Sequence, residues 1–546
     1  MTATVTVLGG GIGGLSAAHE LAARGFDVTV YEARDRFGGK ARSVPVPGTG
    51  EPPLPGEHGF RFFPGFYRHV VDTMARIPLP DGRTAEDNLV PTERTLVASV
   101  ADDARVRSTR TPRTLRDWAT VLRDGFGADV PASERAFFTE RMLELLTSCA
   151  ARREAELDDV TWWEYIEAGR MSAGYRKQLA QSTQSLVALR PEQASARTVG
   201  RIYAQILRAH LSPAVDTERV LNGPTSEAWI DPWLAHLRER GVTLHANAPV
   251  RDLHHDGRRI TGITVERDGE RERVTADYYV AAVPVEMMAR LVDDDLAAAA
   301  PSLDRLRRLE TAWMNGVQFY LTEETPIVEG HTIYADSPWA LTSISQSQFW
   351  ETDLRERGDG DVAGVLSVIV SDWETPGVLF DKPARECTPE EIREEVWVQL
   401  TTHLNREREV LREESVVDWF LDPALEPTDD GVRNTEPLLV NTVGSLRNRP
   451  DAETELPNLF LAADYVRTNT DLACMESANE AARRAANGVL AAAGSSASRC
   501  AVWDLEEPAV FQPMKAVDEV RYRLGLPHPG SVRRSIARAV RAATSA

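Results

Sequence analysis

The sequence predicts an α/β fold, a discontinuous domain of strands and helices interrupted by inserted segments of mixed α+β character. Three observations carry that prediction. A strand, a glycine-rich turn and a helix follow one another within residues 4–21. A helix, a glycine stop and a strand recur at 229–245, with a further strand at 278–284. An apolar strand at 458–463 ends on Asp464 and leads, ten residues on, into a long alanine-rich helix from Cys474 to Leu490.

The first element is Thr-Val-Thr-Val-Leu at 4–8, apolar and β-branched, which suits a strand. Gly9-Gly10-Gly11-Ile12-Gly13-Gly14 follows at once, and Leu15 to Leu21 shows apolar spacing close to the helical period. Gly9, Gly11 and Gly14 fill the three positions of G-x-G-x-x-G. The first allows a sharp turn, the second lets a pyrophosphate approach the backbone, and the third lets helix and strand pack closely. Free N–H groups and the dipole at the helix start favour a diphosphate. A glycine-rich turn alone is a weak signal, and the second strand strengthens it. Asp27 to Tyr31 ends at Glu32, eighteen residues after Gly14, where a carboxylate accepts hydrogen bonds from a ribose diol. The unit is therefore Rossmann-like and suited to a dinucleotide.

The next stretch selects which dinucleotide. Glu32-Ala33-Arg34-Asp35-Arg36-Phe37-Gly38-Gly39-Lys40-Ala41-Arg42 carries a double glycine. Gly56-Glu57-His58-Gly59-Phe60-Arg61-Phe62-Phe63-Pro64-Gly65-Phe66-Tyr67 adds a Gly-x-His followed by aromatics. On these residues the chain resembles the flavin amine oxidase and carotenoid (phytoene) desaturase superfamily, most of all its plant-type phytoene desaturase-like branch. The resemblance implies a two-dinucleotide-binding-domain flavoprotein, with a Rossmann-like FAD domain and an inserted mixed α+β substrate domain. It implies FAD as cofactor. Ile12 and Gly13 then belong to the FAD-binding turn, and Ala33, Ala41 and Arg42 to the stretch that follows the second strand along the cofactor. Lys40 sits near the FAD phosphates, with a solvated surface lysine as the alternative. A cation beside a diphosphate is physically expected. His58 and Gly59 lie beside the flavin, and His58 is as readily a structural histidine bonded to a neighbouring loop.

The second block opens on a turn at Asn222-Gly223-Pro224. Trp229 to Arg240 reads as an amphipathic helix, Gly241 stops it, and Val242 to His245 reads as a strand. Val250 begins a hairpin that turns near Asp256-Gly257. By the resemblance, the backbone of Val250 contacts the adenine. In the third block the family pattern is strand, Gly-Asp, short loop, Met-Glu-Gly-Ala, helix. Asp464 then accepts a hydrogen bond from the ribityl chain, and Met475 and Glu476 begin the helix aimed at the flavin O2 edge, where charge grows on reduction. Ala463 and Ser477 replace the two glycines of that pattern, and both are small.

The cofactor domain is thus expected from 1–85, 222–290 and 436–495. A largely helical 86–221 and the segment 291–435 make the substrate domain, and 496–546 is a C-terminal extension. Amphipathic runs around 133–152 and 175–211 predict helices, and 313–321 and 363–371 predict strands.

Composition sets the outer bounds. The 546 residues allow a large core, and 42% are hydrophobic, yet no run reaches the ~20 apolar residues of a membrane-spanning helix. Met-Thr-Ala-Thr leads straight into a strand with no basic leader region, so no secretory signal is expected. Cys149, Cys387, Cys474 and Cys500 show no metal-ligand spacing and suit a reducing cytoplasm. A formal charge of −21 argues against nucleic acid as a partner. Arginine replaces lysine almost everywhere, a bias that reads as a GC-rich bacterial genome.

No catalytic triad, metal cluster or paired-carboxylate motif stands out, and no catalytic residue is assigned. That suits flavin chemistry, in which the cofactor carries the hard step. The first expectation is a desaturase or dehydrogenase that passes a hydride from a lipophilic isoprenoid-like or polyene substrate to flavin N5, with a quinone or oxygen as final acceptor. An amine oxidase of the same superfamily is weaker, because neither Lys177 nor Lys382 sits in a convincing strand. A redox-neutral isomerase or dehydroxylase, or a flavin-binding protein without turnover, remains open. Trp162-Trp163, Trp313, Trp339, Phe349-Trp350 and Trp373 line a tunnel for such a substrate or are plain core. Part of 336–350, which mixes aromatics with hydroxyl and amide groups, is expected to face the site. Ser531 caps a basic amphipathic helix carrying Arg534, Arg538 and Arg541, which lies on an anionic membrane or docks on the acidic body of the protein.

Overall fold

A computed structural model describes residues 2–109, 130–211 and 216–532. In chain order the principal elements begin with β1 (Thr4–Leu8), α1 (Ile12–Ala22), β2 (Asp27–Tyr31), α2 (His69–Met74), β3 (Arg94–Ala98) and β4 (Arg105–Ser108). They continue with α3 (Ala132–Thr147), α4 (Ala196–Leu211), α5 (Asp231–Glu239), β5 (Thr243–His245), β6 (Val250–His255), β7 (Ile260–Arg267), β8 (Glu270–Val274) and β9 (Tyr278–Ala281). The chain then forms β10 (Asn315–Leu321), β11 (Thr332–Tyr334), β12 (Thr342–Ser345), β13 (Gly364–Val370), α6 (Pro389–Leu404), β14 (Val416–Leu421), β15 (Leu459–Leu461), α7 (Met475–Ala492) and α8 (Gln512–Arg523).

The first sheet runs β5–β2–β1–β9–β15, and every neighbouring pair is parallel. Its strands are nearly continuous apolar runs, as a sheet covered on both faces requires. Val5, Val7, Leu8, Val28, Val30, Val280 and Leu461 are buried in one cluster with α1, α5 and α7. The register sets Leu8 beside both Tyr31 and Ala281, and Ala281 beside Leu461. Gly9, Glu32, Ala282 and Ala462 therefore emerge along one carboxyl edge, the place where ligands bind in open parallel sheets.

The second sheet runs β14–β10–β13–β12–β11–β3–β4 and is antiparallel except between β11 and β3. All seven residues of β10 and of β13 are buried. Helix α6 covers this sheet through Ile392, Val396, Trp397 and Leu400. Thr388 and Glu391 form a capping box at the start of that helix. The hairpin β6–β7–β8 stands apart as a small antiparallel sheet.

Three expected elements differ. Strands β3 and β4 fall inside 86–221, because alternate residues Leu96 and Ala98 complete the second sheet's core. The run at 175–211 breaks at Ala188, where φ is +51°, and at Pro191, so α4 starts only at Ala196. Ser226–Ile230 forms a wide π turn that runs without a break into α5, so the helix expected from Trp229 begins earlier, at Thr225.

Candidate functional site

The glycine turn is built for close approach. Gly9 has φ +99°, and a Cβ there would stand 2.7 Å from the Ala282 carbonyl oxygen. A Cβ on Gly13 would lie 1.8 Å from the Ala462 oxygen, so α1 rests directly on the end of β15. Gly11 is different: its nearest neighbour would be Gly39 Cα at 3.6 Å, which leaves its outer side open. It caps α1 with no side chain, and no acidic residue occupies the first turn. An anion meets backbone N–H donors there and no acidic side chain from the helix's own first turn. Ile12 and Gly14 are buried beneath.

Glu32 is 7% exposed and turned back onto the same turn. Its Oε2 accepts the Gly10 N–H at 2.7 Å and its Oε1 the Arg34 N–H at 2.9 Å. Burial pushes the carboxyl upward, against the pull of those two N–H groups and of Arg42 and Arg34. A carboxylate has about four acceptor positions, so two are left for ribose hydroxyls. Ala33 is exposed beside it. The Asn247 N–H donates to the Arg34 carbonyl and the Ala248 N–H to the Glu32 carbonyl, both at 2.8 Å. Val250, half-buried opposite Val265, thus lies close to the acidic end of β2.

The double-glycine stretch makes a 3-10 turn at Gly39–Ala41. Lys40 donates to the Pro437 carbonyl and Ala41 is buried. Arg42 donates to Glu436 at 2.9 Å and to the Gly39 carbonyl at 2.7 Å. Arg34 meets the same Glu436 carboxylate. Although burial works the other way, Arg42 and Arg34 hold Glu436 below the usual carboxylate range. The Arg42 guanidinium is therefore committed to protein, and what it offers a cofactor is backbone. His58 Nδ1 lies against the buried Asp422 carboxylate, so its structural alternative has a partner. Asp422 also accepts from Asn315 Nδ2 at 2.6 Å. Burial raises the Asp422 pKa, but His58 and Asn315 bring it below its ordinary value. A Cβ on Gly59 would lie 3.0 Å from Ile369 Cδ1, which packs the backbone at Gly59 tightly on β13.

At the third block, Asp464 is half-buried, and its backbone oxygen accepts from Arg449 at 2.8 Å. Its carboxylate makes no hydrogen bond among the described residues, so it is free for a ligand hydroxyl. Ala463, in the place of the family glycine, is 7% exposed. Met475 opens α7, whose N-cap, Cys474, makes no side-chain cap. Glu476 departs from the expectation. Its carboxylate is buried and accepts from the N–H groups of Arg68, His69 and Val70 at 2.7, 2.8 and 2.9 Å, and lies 2.7 Å from His69 Nδ1. It caps α2, and only its backbone is left for a cofactor.

An apolar cavity adjoins this tip. Val199 and Ile202 of α4, Leu439, Val440, Leu472 and Ala473 line it. The last two immediately precede Cys474 and Met475. A second cleft lies between the stretch at Phe60 and Arg61 and the second sheet, lined also by Val220, Ile344, Gln346 and Phe349. Part of 336–350 therefore faces a cleft. Of the two alternatives for the large aromatics, the core holds for most of those named. Trp162, Trp339 and Trp373 are core residues, because their large rings fill the helical cluster and the second sheet. Trp350 belongs to a small cluster with Val46 and Leu54. Of that set, Phe349 alone lines either cleft. The described residues contain no group of His, Cys, Asp and Glu able to hold a metal.

Sequence reasoning missed Glu436, Asp422, Asn315 and the cavity residues 438–441. Leu472 and Ala473 had a signal in their nearness to Met475. The open Gly11, the doubly bonded Glu32 and the free Asp464 suit a nucleotide diphosphate, a ribose and a ribityl chain respectively, so the donor set fits FAD.

Comparison with known proteins agrees. Residues 12–490 match the family described as flavin containing amine oxidoreductase. The chain is 24% identical over 514 residues to a zeta-carotene desaturase of Synechocystis sp., covering 89% of this chain and 97% of that one. It is 23% identical over 495 residues to a 15-cis-phytoene desaturase of Synechococcus elongatus, covering 89% and 96%. A putrescine oxidase bound to putrescine superposes with a TM-score of 0.61 at 17% identity, covering 90% of this chain and 99% of that one.

Proposed function

Starting from the flavin containing amine oxidoreductase family, to which this chain belongs, we propose that it is a desaturase or dehydrogenase of a lipophilic, isoprenoid-like substrate. It is an FAD-dependent oxidoreductase. The observation that carries the substrate reading is the likeness to two desaturases along 89% of the chain, and the apolar side chains of Val199, Ile202, Leu439, Val440, Leu472 and Ala473 gathered beside the tip of α7 suit it. A hydrocarbon chain gains ~25 cal/mol per Å² on leaving water for such a lining.

In this proposal Gly9, Gly11, Ile12, Gly13 and Gly14 hold the diphosphate, and Glu32, Ala33 and Val250 the adenosine. Lys40 lies near the phosphates with Ala41 and Arg42 along the same stretch, Asp464 takes the ribityl chain, and His58, Gly59, Met475 and Glu476 lie at the flavin end. Bound FAD supplies the hydride acceptor. The chain's own part is to fix the substrate carbon beside it and to exclude water, which the apolar lining does.

An amine oxidase reading asks for a free lysine near the flavin. Lys177 is held by Ser99 at 2.8 Å and Asp102 at 2.9 Å, Lys382 by Glu391 at 2.7 Å, and Lys515 by Glu507. Lys40 is bonded to Pro437. We further propose a quinone or oxygen as acceptor and peripheral contact with an anionic membrane through the C-terminal extension. Helix α8 is tied to the body by Asp518 and Arg152, yet Met514, Val517, Val520 and Leu524 are exposed. No acidic residue follows Glu519, while arginine recurs up to Arg541. The helix read from Ser531 lies mostly outside the described residues. Where it is described, helix begins at Pro529, and Ser531 donates to Glu144 at 2.6 Å instead of capping. Among the described residues no helix is long and apolar enough to cross a membrane.

The test is anaerobic. Bleaching of the flavin absorbance by a polyene or isoprenoid, and not by amines, is the expected result. Bleaching by an amine alone would overturn the reading.

A further inference from the structure

The second cleft holds a cation that the cofactor assignment leaves without a task. Arg61 donates from a terminal guanidinium nitrogen to the Lys40 carbonyl at 2.7 Å, while its Nε is buried with no hydrogen-bond partner among the described residues. A buried donor left unsatisfied is destabilising, so a partner for it is favoured. Two carboxylates lie near enough to act on its charge, and each is engaged elsewhere. Glu57 accepts from Ser43 Oγ at 2.9 Å and from the Thr225 N–H at 2.7 Å. Asp422 is taken by His58 and Asn315. Burial lowers the Arg61 pKa against the pull of Glu57 and Asp422, as befits a charge without a bonded counter-ion.

The walls around it are apolar. Phe60, Val220, Leu221, Ile344 and Phe349 line the cleft, and Gln346 is its other polar side chain. The Gln346 amide is already occupied by Ser367, Gln318 and Glu57. Among the side chains that line the cleft, Arg61 Nε is thus the one buried polar atom without a hydrogen-bond partner among the described residues. A hydrocarbon end would leave it unsatisfied, whereas a carboxylate would both neutralise the charge and accept the hydrogen bond.

We propose that this cleft receives the carboxylate end of a lipophilic substrate, with Arg61 as its counter-ion. The proposal rests on the lipophilic-substrate reading above and narrows it to apolar acids.

The experiment uses the FAD-loaded protein and calorimetric binding of a polyene acid and its methyl ester, which share a skeleton and differ in charge. The wild type is expected to bind the acid at least about tenfold more tightly, since hydrogen bonds to charged groups are the stronger class. Arg61→Met should keep its flavin and its affinity for the ester and lose the preference, and Arg61→Lys should keep part of it. Equal affinity of the wild type for acid and ester overturns the proposal and leaves the lipophilic reading standing, whatever the variants do. An undiminished preference in Arg61→Met also overturns it. Failure of both ligands to bind the wild type overturns the two together.

Discussion

Glu476→Ala removes the carboxylate that holds the start of α2 against the tip of α7. Three backbone N–H groups, at 2.7–2.9 Å, lose their acceptor. Arg68 is exposed, so water replaces the carboxylate there, but His69 and Val70 are buried at 2% and 0%. Two buried donors left bare cost about 2–6 kcal/mol together, and loss of a negative charge at a helix N-terminus adds ~0.3–1 kcal/mol. Removing the cost of burying the carboxylate itself offsets part of this. The net is about 3 kcal/mol, or a urea midpoint lower by roughly 1 M for a slope near 3 kcal/mol/M. Because Met475 is the next residue back, the flavin should be released in the same transition. The assay is urea titration of the FAD-loaded protein, read by flavin fluorescence and by tryptophan emission. Glu476→Gln keeps one acceptor oxygen and should fall between. A variant whose midpoint stays within about 0.2 M of wild type would refute the capping role and the energetics drawn from it.

The two glycines of the turn should separate packing from ligand binding. Gly13→Ala drives a methyl to 1.8 Å from the Ala462 oxygen and should cost 3 kcal/mol or more, seen as poor soluble yield or a low melting temperature. Gly11→Ala meets nothing closer than 3.6 Å, so stability of the apoprotein should change by less than about 1 kcal/mol while FAD content falls. Glu32→Ala and Asp464→Ala should each weaken FAD retention on gel filtration, and full flavin occupancy in both variants would refute the site. His19 sets a pH dependence. Burial, then Arg76, lowers its pKa to about 3 from an ordinary 6.5, and Trp233 Nε1 donates to its Nδ1 at 3.2 Å, which needs that nitrogen unprotonated. The native state therefore binds fewer protons than the unfolded chain between those values, and stability falls as pH drops below 6.5. From pH 7 to pH 5 the loss is about 2 kcal/mol, which urea melts of wild type against His19→Gln should show as a difference in slope.

The cofactor edge was legible because its signals are local. Gly9 to Gly14 must turn and pack within six residues, and Glu32 follows at the end of the very next strand. The double glycine and the run from Asp464 to Met475 carry their meaning in the same way. What escaped was made by distant parts of the chain. Glu436 meets Arg42 across 394 positions, and nothing near either residue announces the other. Glu476 looked like a ligand by its place in a motif, and the tertiary structure gave its carboxylate to α2. The aromatics stayed ambiguous for a different reason: a large apolar ring has the same sequence signature in a core as in a tunnel. Strands β3 and β4 were hidden because four or five residues of Arg, Val and Thr are too short for periodicity to separate from loop.

These long-range pairs have a common direction. Arg42 donates to Glu436, and the Glu436 N–H donates to Asn434 Oδ1 at 2.8 Å. Asn434 donates to Asn315 Oδ1 at 2.8 Å, and Asn315 to Asp422 at 2.6 Å, on which His58 rests. The chain of bonds leaves the cofactor stretch at Arg42, crosses the first residue of β10, and returns to that stretch at His58. Asn315 and Asp422 are at most 2% exposed. A closed, buried network of this kind is costly to open at any one member, since each partner would be left unsatisfied. The stretch from Arg42 to His58 and the sheet whose strand β12 lines the Arg61 cleft through Ile344 are therefore tied together by these bonds. A substitution that breaks one member, such as Asn315→Leu, should therefore loosen both the Arg42 and the His58 ends of the network, which urea melts of the FAD-loaded protein would show as a lower midpoint.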